Sequence, residues 1–199
     1  MNPEVGSAAL LIVWLLSSVV LRVGLHWRST GSFGVVRLKA QAGSVEWFGG
    51  LLFVVSLVAA GIGVFFARVP RWSTGAVVGL AVATAGVIGT FVSQSSMGTS
   101  WRIGVDPTEH TTFRSKGLFA VVRNPIFSSM SLTLAGFAIL SLHWLVLLGA
   151  VLFVLSIELQ VRFVEEPYLS SLHQNEFVQY ASTVGRFIPG IGRNRLSNQ

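Results

Sequence analysis

Four long uncharged runs divide this chain, and its polar and charged residues collect between them. The runs cover residues 5–21, 47–67, 72–101 and 124–157. A helix needs roughly 17–25 apolar residues to cross a bilayer, so each of the first three runs predicts one spanning helix. The fourth run is too long for one helix and predicts a tight helical hairpin. Its expected turn is Ser-Leu-His-Trp at 141–144, which combines polar groups with an interfacial tryptophan.

This pattern predicts an all-α integral membrane protein with about five transmembrane helices, the last two paired in the hairpin. The expected spans cover residues 5–24, 46–67, 75–96, 126–141 and 143–164. Because the hairpin is short, a four-span arrangement with a re-entrant segment stays open as an alternative. Beyond Pro167, apolar residues recur at near-helical spacing and predict an amphipathic C-terminal helix over residues 168–183, which lies on the membrane or folds over the hairpin mouth.

The composition excludes an ordinary soluble domain. Hydrophobic residues make up 52% of the chain and charged residues 11%, whereas soluble domains carry about 25% charged residues. The chain has no cysteine, which excludes disulfides, thiolate nucleophiles and cysteine metal sites. Its four histidines lack ligand spacing, so no metal site is predicted. The first run does not resemble a secretory signal, because Glu4 and no basic residue precede it.

The formal net charge of +6 is unevenly distributed. Of the 14 basic residues, all but Arg68 and Arg71 follow the first, third or fifth span. The positive-inside rule then predicts an N-terminus outside and a hairpin mouth on the cytoplasmic side. Anionic head groups explain this basic charge better than nucleic acid does. We therefore expect a multi-pass protein of a bacterial cytoplasmic membrane, with membrane lipids as neighbours and no nucleic-acid partner.

The third span carries a stripe of small residues and a polar end. Small residues recur along it at helical spacing, which predicts close contact with another helix. They are Gly75, Gly79, Ala83 and Gly86. The span ends in the sequence Q-S-S-M-G at 94–98, which is polar enough to line a cavity.

The mouth of the hairpin carries the candidate chemistry. Glu158, Arg162 and Glu165 are spaced i, i+4 and i+7 and so share one helix face. Ionisable residues at a membrane boundary are paired or functional, and a Glu158–Arg162 ion pair that holds the helix end is the structural alternative. Pro167 predicts that this helix ends or bends near Glu166.

The other half of the mouth begins with Asn124 and Pro125, which suit the N-cap and first positions of a helix. A helix N-terminus favours anionic groups, whereas the carboxylates of the opposite half favour cations. Together the two halves predict a site for a ligand that carries both a carboxylate and an ammonium group.

Two motifs of the mouth resemble a known family. G-L-F-A-V-V-R-N-P-I-F at 117–127 and E-E-P-Y-L-S-S-L-H-Q-N-E-F-V-Q-Y at 165–180 resemble the isoprenylcysteine carboxyl methyltransferases and their relatives, the phospholipid methyltransferases. That family carries G-x-Y/F and R-H-P-x-Y, followed by E-E and a downstream tyrosine. M-G-T-S-W-R at 97–102 is also similar to the family's loop entry. The resemblance covers residues 97–190, about half the chain.

The resemblance implies S-adenosylmethionine as cofactor and a lipophilic methyl acceptor that enters from the bilayer. It implies cofactor contacts by Thr111, Thr112, Phe113, Arg114, Phe119, Asn124, Pro125, Ile126, Phe127 and Glu165, and a position beside the acceptor for Arg162. Residues 1–96 would then be a three-helix scaffold with a basic loop at 22–44. Residues 97–199 would be the catalytic region, with a cofactor loop at 98–125, the hairpin at 126–164 and an amphipathic segment at 165–199.

The chain departs from the family at Asn124, where the family has His, and at Phe127, where it has Tyr. Asparagine cannot act as a base near neutral pH. A carboxylate acceptor, with a pKa of about 4, is already ionised and needs no base, and Arg162 would orient it through a bidentate contact. O-methylation of a prenyl-type or other lipidic carboxylate is therefore favoured.

Other readings of the mouth stay open. An amine acceptor would first have to lose a proton, to Glu158 or to Glu166, which makes Glu166 a candidate catalytic residue. A membrane reductase related to sterol reductases and a non-catalytic transport or assembly protein are alternatives to the methyltransferase. The oligomeric state is not predicted.

Overall fold

The computed structural model describes residues 2–31, 33, 40–69, 71–98 and 113–194. These residues form helices, with isolated bridges at Val122–Gly185 and Ile188–Ile191 instead of strands. The helices are α1 (Pro3–Thr30), α2 (Val45–Phe66), α3 (Thr74–Met97), α4 (Pro125–Ser141), α5 (Trp144–Gln160) and α6 (Glu166–Thr183). A 3-10 turn at Gly117–Ala120 precedes α4, and a π-helical turn at Val161–Glu165 joins α5 to α6 without a break.

The predicted class is confirmed, because the described helices are long and apolar enough to form a membrane bundle. The helices α1, α2, α3 and the continuous α5–α6 each qualify as a membrane span by length and hydropathy. Helix α4 is shorter, with 17 residues, or about 25 Å at the helical rise. Within the described residues, the bundle thus contains four helices of clear spanning length and one apolar helix at the lower limit of that range.

The predicted hairpin turn is confirmed. Helix α4 ends at Ser141, and Leu142 adopts the left-handed conformation with φ 46°. His143 is the N-cap of α5, where its Nδ1 accepts a hydrogen bond from the Leu145 amide at 3.2 Å. The two helices run antiparallel, so the end of α5 returns to the start of α4.

Helix α1 is longer than predicted, and the expected basic loop at 22–44 was wrong for its first nine residues. The helix continues through a π-helical stretch at Leu16–Leu21 and ends only at Thr30, where Gly31 adopts φ 72°. Arg22 and His26 are buried in this extension, and the Arg22 guanidinium donates to the Gly98 carbonyl at the end of α3. This long-range contact stabilises a helical turn that local polarity alone would assign to a loop.

Of the two expectations for Pro167, an end of the helix near Glu166 was wrong, because the helix passes through Pro167, whereas a bend there stays a prediction. The wider π-helical turn at Val161–Glu165 puts Pro167 in the first turn of α6, where a proline ring and its missing N–H are tolerated. The helical backbone is interrupted further on, at Gln174, with φ 44° and ψ −121°.

The small-residue stripe of α3 packs against α4, as predicted. A Cβ added to Gly136 of α4 would lie 2.2 Å from the Ala83 amide nitrogen, and one added to Gly86 would lie 2.4 Å from that of Thr133. Such distances require backbone-to-backbone contact, which only small residues permit.

Helix α2 packs against α5 in the same way. A Cβ on Gly63 would lie 2.7 Å from Val146, and one on Gly149 would lie 2.7 Å from the Ser56 carbonyl. Nearer the mouth, the Ser156 hydroxyl donates to the Gly49 carbonyl at 2.8 Å. Both helices of the hairpin are therefore held by a close neighbour, which fixes the polar ends of α4 and α5 relative to each other.

Candidate active site

Three charged residues form a buried cluster at the mouth of the hairpin, here called the clamp: Arg123, Glu166 and Arg186. Arg123 Nη2 lies 2.7 Å from Glu166 Oε1, and Arg186 donates from Nε and Nη2 to the two oxygens of the same carboxylate at 2.8 Å each. Both Arg123 and Glu166 are buried. The hydrogen bonds to Glu166 raise the pKa of Arg186 above its ordinary value.

The clamp also fixes the C-terminal segment. The remaining donors of the Arg123 guanidinium bind backbone carbonyls of Ala181 at 2.9 Å, Val184 at 2.6 Å and Gly192 at 3.0 Å. The backbone amides of Arg123 and Asn124 donate to the carbonyls of Gly185 and Arg186. The chain after α6 therefore folds back over the start of α4.

An aromatic cluster supports the same contact from the side of α6. Tyr180 Oη donates to the Phe119 carbonyl at 2.5 Å. The Phe113 ring lies against His173, Phe177 and Tyr180, with centroid distances of 5.0, 6.3 and 5.1 Å. These contacts fix the segment that leads into α4, including the Phe119 backbone.

A cavity of about 240 Å³ lies beside the clamp. Its walls come from α1, the middle of α2, the end of α3, the 3-10 turn, the start of α4 and the α5–α6 junction. The lining residues are Trp14, Leu15, Ser18, Val19, Phe53, Leu57, Gln94, Met97, Phe119, Arg123, Asn124, Pro125, Ile126, Phe127, Met130, Glu165 and Leu169. Most of these side chains are apolar, so the cavity suits a ligand with a large apolar surface.

Six of the predicted cofactor residues meet in this cavity, although the chain separates them by up to 46 positions. They are Phe119, Asn124, Pro125, Ile126, Phe127 and Glu165. The side-chain amide of Asn124 donates to the Arg186 carbonyl at 3.2 Å, which orients Asn124 between the clamp and the cavity. Residues at the start of α4 and Glu165 thus line one cavity.

The other predicted site residues lie elsewhere. Phe113 belongs to the aromatic cluster, and Arg114 is exposed outside the cavity lining. Arg162 forms an ion pair with Glu158, and 52% of its side chain is exposed. Glu166 is held in the clamp, so a role as a proton acceptor gains no support from the geometry. Thr111 and Thr112 lie outside the described residues.

Sequence reasoning missed the contribution of the first two helices. Trp14, Phe53 and Leu57 line the cavity, but they are ordinary apolar residues in apolar helices and carry no local signal. Gln94 is different, because an amide inside an apolar run is itself a signal, and the predicted polar end of α3 does line the cavity. Part of the cavity lining therefore lies within residues 1–96, which were predicted to be a scaffold.

The lining contains an anionic group and aromatic rings, which together suit a cationic, partly aromatic ligand. Glu165 supplies a carboxylate, and Phe119 and Phe127 supply aromatic rings at the same wall region as the start of α4. Aromatic faces attract cations, and a helix N-terminus attracts a carboxylate. An amino-acid-bearing sulfonium with an aromatic base matches each of these groups.

Comparison with protein families gives one finding. The model of the phospholipid methyltransferase family matches residues 74–176. The matched region runs from the start of α3 to the middle of α6 and includes the hairpin, the clamp residues Arg123 and Glu166, and most of the cavity lining. Searches of curated proteins and of solved structures find no match to this chain.

Proposed function

Because the chain belongs to the phospholipid methyltransferase family, we propose that it is an S-adenosylmethionine-dependent methyltransferase that acts at the membrane on a lipophilic acceptor. The observation that carries this proposal is the meeting of Phe119, the start of α4 and Glu165 in one cavity. The family assignment favours methyl transfer over the reductase and non-catalytic alternatives.

Three parts of the cavity lining would bind the proposed cofactor: Glu165, two phenylalanine rings and the start of α4. The cofactor would supply an electrophilic methyl group on a sulfonium. Glu165 would bind the ammonium or sulfonium charge, the Phe119 and Phe127 rings would contact the adenine, and the start of α4 would bind the amino-acid carboxylate. The cavity would exclude water from the reacting groups because most of its lining is apolar.

The acceptor is proposed to be a lipidic carboxylate, such as a prenyl-type one. Among the described lining residues, Asn124 cannot take a proton, and every nitrogen of the Arg123 guanidinium already donates to protein oxygens. Glu165 is assigned to the cofactor in this proposal. A site without a spare base favours an acceptor that is ionised near neutral pH, and positioning at about 3–3.5 Å would then supply most of the rate enhancement.

An apolar acceptor has a route into the cavity. Leu15 and Val19 line it, and both side chains are also exposed on the outer surface of α1. In a membrane bundle this surface faces lipid. The cavity would then open beside the bilayer, and the acceptor would enter it from lipid.

Calorimetric titration of the purified, detergent-solubilised protein with S-adenosylhomocysteine tests the cofactor assignment. We expect saturable binding that Glu165→Ala weakens at least tenfold, which corresponds to about 1.4 kcal/mol. Glu158→Ala is the matched control, because Glu158 is a carboxylate of the same helix that lies outside the cavity lining. This control is expected to bind like the wild type.

Absence of binding by the folded wild-type protein would overturn the proposal. Equal weakening by Glu165→Ala and Glu158→Ala would overturn the assignment of the cofactor charge to Glu165. With binding established, transfer of a radiolabelled methyl group to a panel of lipidic carboxylates, amines and thiols would identify the acceptor class.

A further inference from the structure

The wall of the cavity formed by α1, α2 and α3 is mostly apolar, and its polar side-chain groups belong to Trp14, Ser18 and Gln94. Its lining residues are Trp14, Leu15, Ser18, Val19, Phe53, Leu57, Gln94 and Met97. None of these eight side chains is ionisable. The wall is therefore suited to the uncharged body of a ligand, opposite in character to the Glu165 side of the cavity.

Trp14 contributes a hydrogen-bond donor to this wall. The side chain is 1% exposed, and its ring lies 6.3 Å from that of Phe137 in the bundle core. The indole Nε1 has no hydrogen-bond partner within the described residues. A buried tryptophan N–H usually finds a partner, and a buried donor without one costs free energy that a ligand oxygen recovers.

Gln94 contributes a hydrogen-bond acceptor. The residue is 5% exposed, and its Nε2 donates to the Ser18 carbonyl at 3.1 Å. This bond fixes the orientation of the amide, because a carbonyl accepts only from the nitrogen side. The Oε1 atom then has no partner within the described residues, although its residue lines the cavity.

The donor and the acceptor are held on one wall. Ser18 follows Trp14 by four positions along α1, and the Gln94 amide is anchored to the Ser18 carbonyl. Both residues line the cavity, and a ligand group that reached these two buried atoms would find an N–H to accept from and a carbonyl oxygen to donate to. Hydroxyl and amide groups do both, whereas a hydrocarbon does neither and a charged group meets no counter-charge there.

We propose that Trp14 and Gln94 form a recognition site for an uncharged hydroxyl or amide group carried on the otherwise apolar body of the acceptor. This inference rests on the proposed function, since it assigns this wall to the methyl acceptor and narrows the class of acceptor. Purely hydrocarbon tails leave both polar atoms unpaired and bind more weakly.

Equilibrium binding of radiolabelled 1-decanol, decanamide and decane to the protein in phosphatidylcholine nanodiscs tests this site. Binding to protein-free nanodiscs is subtracted. We expect the wild type to bind the alcohol and the amide saturably and at least fivefold more tightly than the hydrocarbon. Trp14→Phe and Gln94→Met should each remove most of this preference and leave decane binding unchanged. Trp27→Phe, at an exposed position of α1, is the control and should keep the preference.

Equal binding of all three probes to the wild type would overturn the proposal, and that comparison needs no variant to fold. A preference that survives in both variants would also overturn it. Titration with S-adenosylhomocysteine on the same samples reports folding and separates the two proposals. If the wild type fails to bind S-adenosylhomocysteine, the proposed function falls, whereas the probe preference decides the recognition site by itself.

Discussion

Two neighbouring parts of the hairpin mouth treat their buried polar groups in opposite ways. In the clamp, two guanidinium groups donate to the single carboxylate of Glu166. In the adjoining cavity wall, Trp14 and Gln94 each keep one polar atom without a partner within the described residues. A fully paired cluster stabilises the fold, whereas an unpaired buried atom is available to a ligand. We therefore expect the clamp to contribute mainly to stability, and Trp14 and Gln94 to contribute to ligand binding.

The strongest test of the comparison is Glu166→Gln. The substitution keeps the shape of the side chain but leaves Arg123 and Arg186 buried without a counter-charge. Removing one partner of a buried ion pair costs about 3–5 kcal/mol, so we expect a large loss in the free energy of unfolding. Thermal or denaturant unfolding in detergent micelles measures it.

Glu158→Gln is the matched control for the clamp, since its partner Arg162 is half exposed. Exposed pairs contribute roughly 0–1 kcal/mol, so this variant should unfold close to the wild type. If the two variants unfolded alike, the clamp would not be the stabilising cluster that its geometry indicates.

Glu165→Gln tests the cavity side with the residue next to Glu166. We expect the affinity for S-adenosylhomocysteine to fall about tenfold, or ~1.4 kcal/mol, because the carboxamide keeps the shape but loses the charge. The free energy of unfolding should change much less than in Glu166→Gln. Calorimetry and unfolding on the same sample measure both quantities.

A loss of stability in Glu166→Gln together with a loss of ligand affinity in Glu165→Gln would show that the clamp is structural and that the cavity binds the ligand. A Glu165→Gln variant that unfolded as readily as Glu166→Gln, with unchanged ligand affinity once folded, would show that both carboxylates are structural.

Asn124→Ala tests the residue that lies at the border of the two regions. Its amide donates to the Arg186 carbonyl, and a net hydrogen bond contributes about 0.5–1.5 kcal/mol, so a moderate loss in stability is expected. Because Asn124 also lines the cavity, we expect ligand affinity to fall by less than in Glu165→Gln. Asn124→His, which restores the family's residue and an N–H donor, should recover stability. A change in the free energy of unfolding alone would assign Asn124 to the clamp. A change in ligand affinity alone would assign it to the cavity.

Local patterns predicted the features that neighbours along the chain determine. The hairpin turn at His143 and the packing role of Gly79 and Gly86 follow from sequence patterns that act within a few turns, whereas the place of Phe119 beside the start of α4 was implied by the family resemblance. The clamp joins residues 43 and 20 positions apart, and no local pattern indicates that Glu166 prefers Arg123 to a ligand. The continuation of α1 past Arg22 likewise depends on a contact 76 positions away.

Arg162→Ala should have the smallest effect on stability. It tests whether Arg162 only pairs with Glu158 or also orients the acceptor. Its ion pair with Glu158 should contribute roughly 0–1 kcal/mol, and the affinity for S-adenosylhomocysteine should not change, because Arg162 lies outside the cavity lining. If Arg162 orients an acceptor carboxylate, the KM for that acceptor should rise about fivefold, or ~1 kcal/mol. Arg162→Lys should recover only part of the loss, since lysine keeps the charge but not the bidentate geometry. An unchanged KM would mean that Arg162 serves only its partner Glu158, and the carboxylate would then have to be oriented within the cavity itself.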